Sequence, residues 1–208
     1  MKIIDISWPI SDTMTTYKDK NDVALSWVKT FENDKVRESA LCMGLHTGTH
    51  IDAPSHFLQN GRTIEWTTLD YLIDDCQVID MTGVEGAITA EHLQDISITA
   101  AIILFKTRNS FLHNNAPFDA QFVYLDAGAA AYLTATYPML KTIGIDYLGI
   151  ERNQPAHCTH TTLFENGIVI VEGLRLLHVE PGIYQFICLP LAIQECEAAP
   201  ARAILISQ

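Results

Sequence analysis

Three of the eight histidines in this 208-residue chain lie between residues 46 and 56, together with an aspartate. These residues are His46, His50, Asp52 and His56. Imidazole nitrogens and carboxylate oxygens are the ligands of zinc and manganese sites, and catalytic sites draw several of them from one short segment. Each histidine alone is equally well explained as a hydrogen-bonded core residue. Burying the whole group is costly unless its members are paired or bind an ion, so the cluster predicts a metal site.

The spacing within this segment supports convergence of the side chains. His50 and Asp52 are two residues apart, so on an extended backbone they project to the same side. Gly48 permits a backbone angle that other residues rarely adopt, which lets the imidazoles of His46 and His50 approach each other without a regular helix.

Composition limits the possible classes of protein. A length of 208 residues, 48% hydrophobic and 18% charged, is typical of a folded chain, and we expect one domain over residues 1–208. The net charge of −12 argues against nucleic acid and anionic membrane surfaces as partners. The longest apolar run, residues 98–105, is too short to span a membrane and predicts a buried strand.

Compartment and redox state follow from two further features. Asp5 interrupts the apolar N-terminal residues Ile3 and Ile4, which argues against a signal peptide and predicts a cytoplasmic protein. The five cysteines lack paired C-x-x-C spacing. We therefore expect reduced and mostly buried thiols, with neither a disulfide framework nor a structural zinc site.

Strand-like segments outnumber helical ones. Short β-branched runs predict strands at residues 2–7, 39–43, 77–81, 101–106, 122–125, 142–145, 168–172, 182–189 and 202–206. Helices are predicted at residues 89–93, where a threonine provides a capping signal, and at 126–137, where alanines and leucine recur at helical spacing. The mixture predicts an α/β fold with a strand-rich core.

A second set of candidate ligands lies far downstream. Glu172 ends the apolar run 168–171, and a carboxylate there needs a cation or hydrogen-bond donors unless the strand end is solvated. His160 precedes a segment with helical character, and His157 competes with it as a ligand. Asp146 ends another strand and is a candidate ligand, a hydrogen-bonding partner for a histidine, or a turn residue.

These residues and their spacing resemble a known family, the cyclase-like metal-dependent hydrolases that include bacterial kynurenine formamidase and isatin hydrolase. The resemblance covers nearly the whole chain, in the family's order and at similar spacing. Its motifs are His46, Gly48, Thr49, His50, Asp52, Pro54, His56 and Phe57, then Asp5-Ile6-Ser7, Gly144-Ile145-Asp146, His160 with Leu163, and Glu172-Gly173-Leu174. It implies a swivelling β/β/α architecture and a homo-oligomer, a dimer or tetramer.

The resemblance also implies roles for the candidate residues. Two divalent ions, zinc or manganese, are expected. One would be held by His46, His50 and Asp52, with Asp52 bridging to a second. The second would be held by His160 and Glu172, which favours His160 over His157, and Glu172 is a possible further bridge. His56 would be the general acid and base.

The chain departs from the family on the substrate side. Formamidases of this family carry an aromatic residue followed by a Pro-Gly-Asp turn after the Asp-Ile-Ser motif. The corresponding stretch here is Tyr17, Lys18, Asp19 and Lys20. Tyr17 is the candidate substrate-binding residue because its ring can stack on a planar substrate.

The expected activity is hydrolysis of a small amide or formamide by metal-activated water, with N-formylkynurenine as the first candidate. Opening of an isatin-type lactam or of a lactone is the alternative reaction. A metal-binding or ligand-binding protein without catalysis is the alternative of another class, against which His56 argues because a simple binding site does not need it.

Overall fold

The computed structural model describes residues 1–207. Four α-helices lie at Phe31–Asp34 (α1), Ala90–Leu93 (α2), Ala127–Thr136 (α3) and Cys158–Glu165 (α4). The strands are Lys2–Asp5 (β1), Ala24–Lys29 (β2), Glu38–Cys42 (β3), His50–Asp52 (β4), Ile73–Met81 (β5), Ala87–Ile88 (β6), Ile102–Thr107 (β7), Tyr124–Leu125 (β8), Thr142–Ile145 (β9), Val169–Glu172 (β10), Gly182–Pro190 (β11) and Ala198–Ser207 (β12).

Eight of these strands form one sheet in the order β1-β12-β11-β5-β7-β9-β10-β4, and β4 also pairs with β12. The additional pairing closes seven strands into a barrel and leaves β1 on its outside. Strands β5, β7, β9 and β10 run parallel to one another. Strands β4, β11 and β12 pair antiparallel with their neighbours. The short strand β4 is therefore held on both sides, by β10 and β12.

The parallel strands are buried on both faces, as their continuous apolar sequences require. Along β7, Ile102 and Leu104 pack into one apolar cluster with residues of β4, β11 and β12. Their neighbours Ile103 and Phe105 pack into a second cluster that contains residues of α2, α3 and α4. The alternation places one core inside the barrel and the other between the barrel and the helices.

The predicted strand-rich α/β fold is confirmed. Each of the nine predicted strand segments overlaps an observed strand, and the two predicted helices correspond to α2 and α3. Strands β2, β4 and β6 and helix α1 were not predicted as elements, and His160 lies inside α4 rather than before a helix. The expectation of mostly buried thiols is wrong: all five cysteines are free, but only Cys76 and Cys188 are buried.

In the part of the chain that the structure describes, no helix is long and apolar enough to cross a membrane.

Candidate active site

Strand β4 presents His50 and Asp52 on the same side, as their spacing predicts, while Ile51 points into the barrel core. The β4–β10 register places Glu172 directly opposite His50. His50 Nε2 lies 3.4 Å from Asp52 Oδ1 and 3.4 Å from Glu172 Oε2. All three side chains are buried. The sheet thus brings together two ligand candidates from the first segment and one from the second.

The remaining histidines of the first segment join the cluster from the turns that flank β4. His46 Nδ1 lies 2.8 Å from Asp52 Oδ1. His56 ends a 3-10 helix at Pro54–His56, and its ring centroid lies 4.1 Å from that of His46. Ligand atoms of His46, Asp52 and His56 approach within 4.8 Å of one another, as do those of His50, Asp52 and Glu172. His56 is thus close enough to act on a molecule bound at the cluster or to bind an ion itself.

Helix α4 contributes His160 from the opposite side. Its Nε2 lies 3.6 Å from Asp52 Oδ2 and 3.4 Å from Glu172 Oε1. Asp52 is consequently adjacent to three imidazoles, those of His46, His50 and His160, and occupies the centre of the cluster.

Glu151, which the sequence analysis did not identify, positions His160. Its Oε2 accepts hydrogen bonds from the backbone N–H groups of Thr159 and His160 at 3.0 and 3.1 Å, and lies 3.1 Å from His160 Nδ1. A buried carboxylate on the first N–H groups of a helix is stabilised by the helix dipole. No spacing rule marks this residue, because Glu151 precedes the helix across a loop.

Two glycines join the ligand segments. Gly48 has a φ of +63° and Gly173 a φ of +69°, and a Cβ added to Gly173 would lie 2.1 Å from the Gly48 carbonyl oxygen. Thr49 Oγ1 donates a 2.6 Å hydrogen bond to the Gly173 carbonyl and accepts one from the Trp8 N–H. The predicted unusual backbone at Gly48 is therefore observed, and it is coupled to the residue that follows Glu172.

The histidines and carboxylates of the cluster shift one another's pKa values. Burial alone would raise the pKa of Asp52, but the imidazoles of His160, His46 and His50 lower it well below 3.8. Burial and the Asp52 charge would raise the pKa of Glu172, yet His160 and His50 lower it to about 2. Both carboxylates are therefore anionic at neutral pH. Burial lowers the pKa of His56 below 6.5, which favours its neutral form.

The donor atoms fit divalent metal ions. Within residues 1–207, His50 Nε2, His46 Nε2 and both carboxylate oxygens of Asp52 are buried without a hydrogen-bond partner. His50 Nδ1 donates to the Gly48 carbonyl at 2.9 Å, so Nε2 is the ring nitrogen that faces the two carboxylates. Buried polar atoms that lack partners are unfavourable unless an ion or water satisfies them, and imidazole with carboxylate suits zinc or manganese.

The two other candidates lie apart from these donors. His157 is exposed and its Nδ1 contacts Glu151 at 2.8 Å, on the far side of that carboxylate. Asp146 is buried and accepts hydrogen bonds from the N–H and hydroxyl groups of Thr107 and Ser110, between 2.6 and 3.1 Å. Burial raises the pKa of Asp146 to about 6. Asp146 thus organises the loop after β7 and contacts no histidine of the cluster.

The cluster opens into a cavity of about 490 Å³. Tyr17 lines it and packs edge-on against Phe118, with ring centroids 5.0 Å apart. Two acids that the sequence analysis missed, Glu151 and Glu197, also line the cavity, and Glu197 Oε1 lies 3.5 Å from His46 Nε2. Glu197 immediately precedes β12, so its place at the site depends on the β4–β12 pairing that closes the barrel.

Buried His50, Asp52, His160 and Glu172 lie on the side of β4 and β10 that faces α4, outside the barrel core. With half-buried His46 they define the candidate site of a metal-dependent enzyme. The family model for the putative cyclases matches residues 4–152, more than half of the chain, and the chain belongs to this family. A kynurenine formamidase from Salinibacter ruber is 30% identical over 99% of this chain and 97% of its own length.

Solved structures agree with this assignment. A potential metal-dependent hydrolase with cyclase activity superposes with a TM-score of 0.87, at 38% identity over 98% of this chain and 96% of that one. Isatin hydrolase A from Ralstonia solanacearum superposes with a TM-score of 0.82 at 19% identity, covering 99% of this chain and 92% of that one. The second likeness shows a shared fold.

Proposed function

We propose that the chain is a metal-dependent hydrolase that cleaves a carbon–nitrogen bond in a small amide or formamide. The first candidate reaction converts N-formylkynurenine to kynurenine and formate, a step of tryptophan catabolism. The observation that carries the proposal is the buried cluster of donor atoms without hydrogen-bond partners around Asp52, open to a cavity large enough for a small aromatic molecule. The similarity to a kynurenine formamidase over almost the full length supports it.

The proposal assigns the cluster to two divalent ions, zinc or manganese. His46, His50 and Asp52 would hold one ion, and His160 and Glu172 would hold the second, with Asp52 between them. When bound, such ions lower the pKa of a coordinated water from about 15.7 to about 7 and polarise a carbonyl oxygen. Asp52 supports this assignment because it is adjacent to histidines from both ligand segments.

His56 is the proposed general acid and base. Attack of water on the formyl carbon forms a carbon–oxygen bond, the carbon–nitrogen bond breaks, and the proton lost by water must reach the departing nitrogen. His56 lines the cavity, and its lowered pKa leaves a neutral imidazole able to accept that proton and then donate it. Tyr17 lines the same cavity and is the proposed contact for an aromatic ring of the substrate.

Isatin-type lactam opening is the second candidate reaction, because the chain shares its fold with an isatin hydrolase.

One experiment tests both candidate reactions. The purified protein is stripped with a chelator, reloaded with zinc or manganese, and assayed by absorbance with N-formylkynurenine and isatin, while bound metal is measured by elemental analysis. We expect up to two ions per chain and hydrolysis that depends on them. Full activity in the metal-free protein would overturn the proposal.

We also propose that two copies of the chain associate through the β2–β3 hairpin, residues 24–42. Every residue of β2 and β3 is exposed, including Trp27 at 67%, and an isolated two-stranded hairpin is only marginally stable. Lys29 and Glu38 pair with each other within the hairpin, and its other charges, two cations and two acids, can pair with those of a second copy related by a two-fold axis. The charged residues are Lys29, Lys35, Arg37, Glu32, Asp34 and Glu38.

Light scattering after size-exclusion chromatography tests this association. Wild type should elute as a dimer or a tetramer, and Trp27→Ser should shift it toward the monomer. A monomeric wild type would overturn the proposal.

A further inference from the structure

The entrance loop, residues 16–22, holds an unusual backbone beside the cavity. Lys18, Asp19 and Asn21 have φ values of 54°, 53° and 51°, in the left-handed region that non-glycine residues rarely adopt. Two hydrogen bonds hold the loop in this conformation. The Phe118 N–H donates to Asp19 Oδ1 at 2.8 Å, and the Asn21 N–H donates to Thr16 Oγ1 at 2.9 Å. Strained conformations of this kind persist where the surroundings determine them and are concentrated at ligand sites.

This backbone directs two ammonium groups to the cavity. Lys18 and Lys20 line it together with Tyr17, and their Nζ atoms lie 5.1 and 5.9 Å from the centroid of the Tyr17 ring. Within residues 1–207 neither ammonium group forms an ion pair. Among the described lysine and arginine side chains, those that form ion pairs are Lys29, Lys141 and Arg202.

The charge of the cavity makes these lysines distinctive. Among the described residues that line it they are the only lysine or arginine side chains, whereas five acids line the same space. The acids are Asp22, Asp52, Glu151, Glu172 and Glu197. In a chain of net charge −12, an anionic substrate would be repelled along most approaches. The lysines supply local positive charge at the entrance, next to an aromatic ring.

We propose that Lys18 and Lys20 form an anion subsite, and that the preferred substrate is an aryl amide carrying a carboxylate on the side away from the scissile bond. The inference rests on the proposed amidase function and adds the substrate class. N-formylkynurenine carries such a carboxylate and isatin does not, so the subsite favours the formamide over the lactam. An ammonium pair binds a carboxylate by charge and by hydrogen bonds.

The test compares two formamides on the metal-loaded protein. 4-Formamidobenzoate carries a carboxylate para to the formamide, away from the scissile bond, and formanilide is the same molecule without it. In the double variant Lys18→Gln/Lys20→Gln, the ratio of kcat/KM for 4-formamidobenzoate to that for formanilide should fall by about 2- to 30-fold, mainly through KM. Lys18→Arg/Lys20→Arg should restore the ratio, and high salt should reduce it in wild type.

The matched control is Lys2→Gln/Lys141→Gln, which removes the same total charge at two residues that do not line the cavity. It should leave the ratio within about twofold of wild type, since screening weakens charges beyond about 10 Å. An equal change in the ratio for both double variants, or no change in Lys18→Gln/Lys20→Gln, would overturn the subsite.

A binding measurement separates the subsite from the proposed reaction. Binding of 4-aminobenzoate to the metal-free wild type and to Lys18→Gln/Lys20→Gln is measured by equilibrium dialysis with detection by absorbance, and 4-aminobenzamide is the uncharged probe. The variant should weaken binding of 4-aminobenzoate more than of 4-aminobenzamide. If neither formamide is hydrolysed but this difference is found, the amidase function is wrong and the subsite stands. If both are hydrolysed without a difference in binding, the subsite is wrong and the amidase stands.

Discussion

The two ligand segments of the site are built in different ways. The first, residues 46–56, carries its ligand candidates close together in sequence, around the short strand β4 and the turns beside it. The second is divided between helix α4, which carries His160, and strand β10, which ends at Glu172. The first segment depends on local spacing, whereas the second depends on the pairing of β10 with β4 and on how α4 is anchored.

The largest effects should come from the carboxylates, and they should differ between segments. Asp52→Asn and Glu172→Gln each remove a charge that offsets metal ions, so each should weaken metal binding and lower turnover by roughly 10³-fold or more. Asp52→Asn should lose more metal because Asp52 is adjacent to three imidazoles and Glu172 to two. Metal content and initial rates measure both.

The double variant should be scarcely slower than the worse single one, since residues that act as one unit are non-additive. Glu165→Gln, exposed at the end of α4, is the control and should be close to neutral. Normal metal content and turnover in Glu172→Gln would show that the second segment is structural.

The same contrast explains what could be read from the sequence. The His50–Asp52 spacing and the glycine at position 48 predicted convergence because strand periodicity and backbone freedom are local properties. The place of Glu172 after an apolar run favoured a buried carboxylate but left a solvated strand end open, and the structure shows it buried. Its position opposite His50 was not predictable, because strand register across the barrel is set by tertiary pairing.

Glu151 and Glu197 show the limit more sharply. Glu151 reaches the site through the loop before α4, and Glu197 through the β4–β12 pairing. Nothing in their sequence surroundings distinguishes them from exposed acids. The choice between His157 and His160 likewise depended on the resemblance to the family, since spacing alone left both open.

His56 tests the division of labour within the first segment. His56→Ala should lower turnover by about 10²- to 10⁴-fold, the usual contribution of a positioned proton-transfer group, while most bound metal stays in place. His50→Ala should lose metal and activity together, since its Nε2 faces both carboxylates. Elemental analysis of the two purified variants beside their rates makes the distinction, and equal metal loss would identify His56 as a ligand.

The contact between the segments should be the next most sensitive point. Gly173→Ala places a Cβ 2.1 Å from the Gly48 carbonyl oxygen at a φ of +69°, so the free energy of unfolding should fall by about 3 kcal/mol or more. Gly167→Ala has a φ of +73° with nothing within 4 Å of the added Cβ, so it should cost only about 1 kcal/mol. Urea denaturation followed by tryptophan fluorescence measures both. Equal losses would mean that the close approach of the segments contributes little.

The smallest effect should come from the anchor of the second segment. Glu151→Gln keeps the shape of the side chain but loses the charge that holds the N–H groups of Thr159 and His160, so His160 should be less well positioned. Supporting residues of metal ligands typically contribute about 10- to 100-fold to metal affinity. We expect the affinity for one of the two ions to fall by that factor while the affinity for the other is kept. Competition with a chromogenic chelator should then show one tight and one weakened site.

His157→Ala is the matched control for Glu151→Gln. His157 contacts the same carboxylate from the exposed side, so its loss should change metal affinity by less than about threefold. Equal weakening of both sites in Glu151→Gln would show that α4 supports the whole cluster, and the contrast between a local and an assembled segment would then be lost.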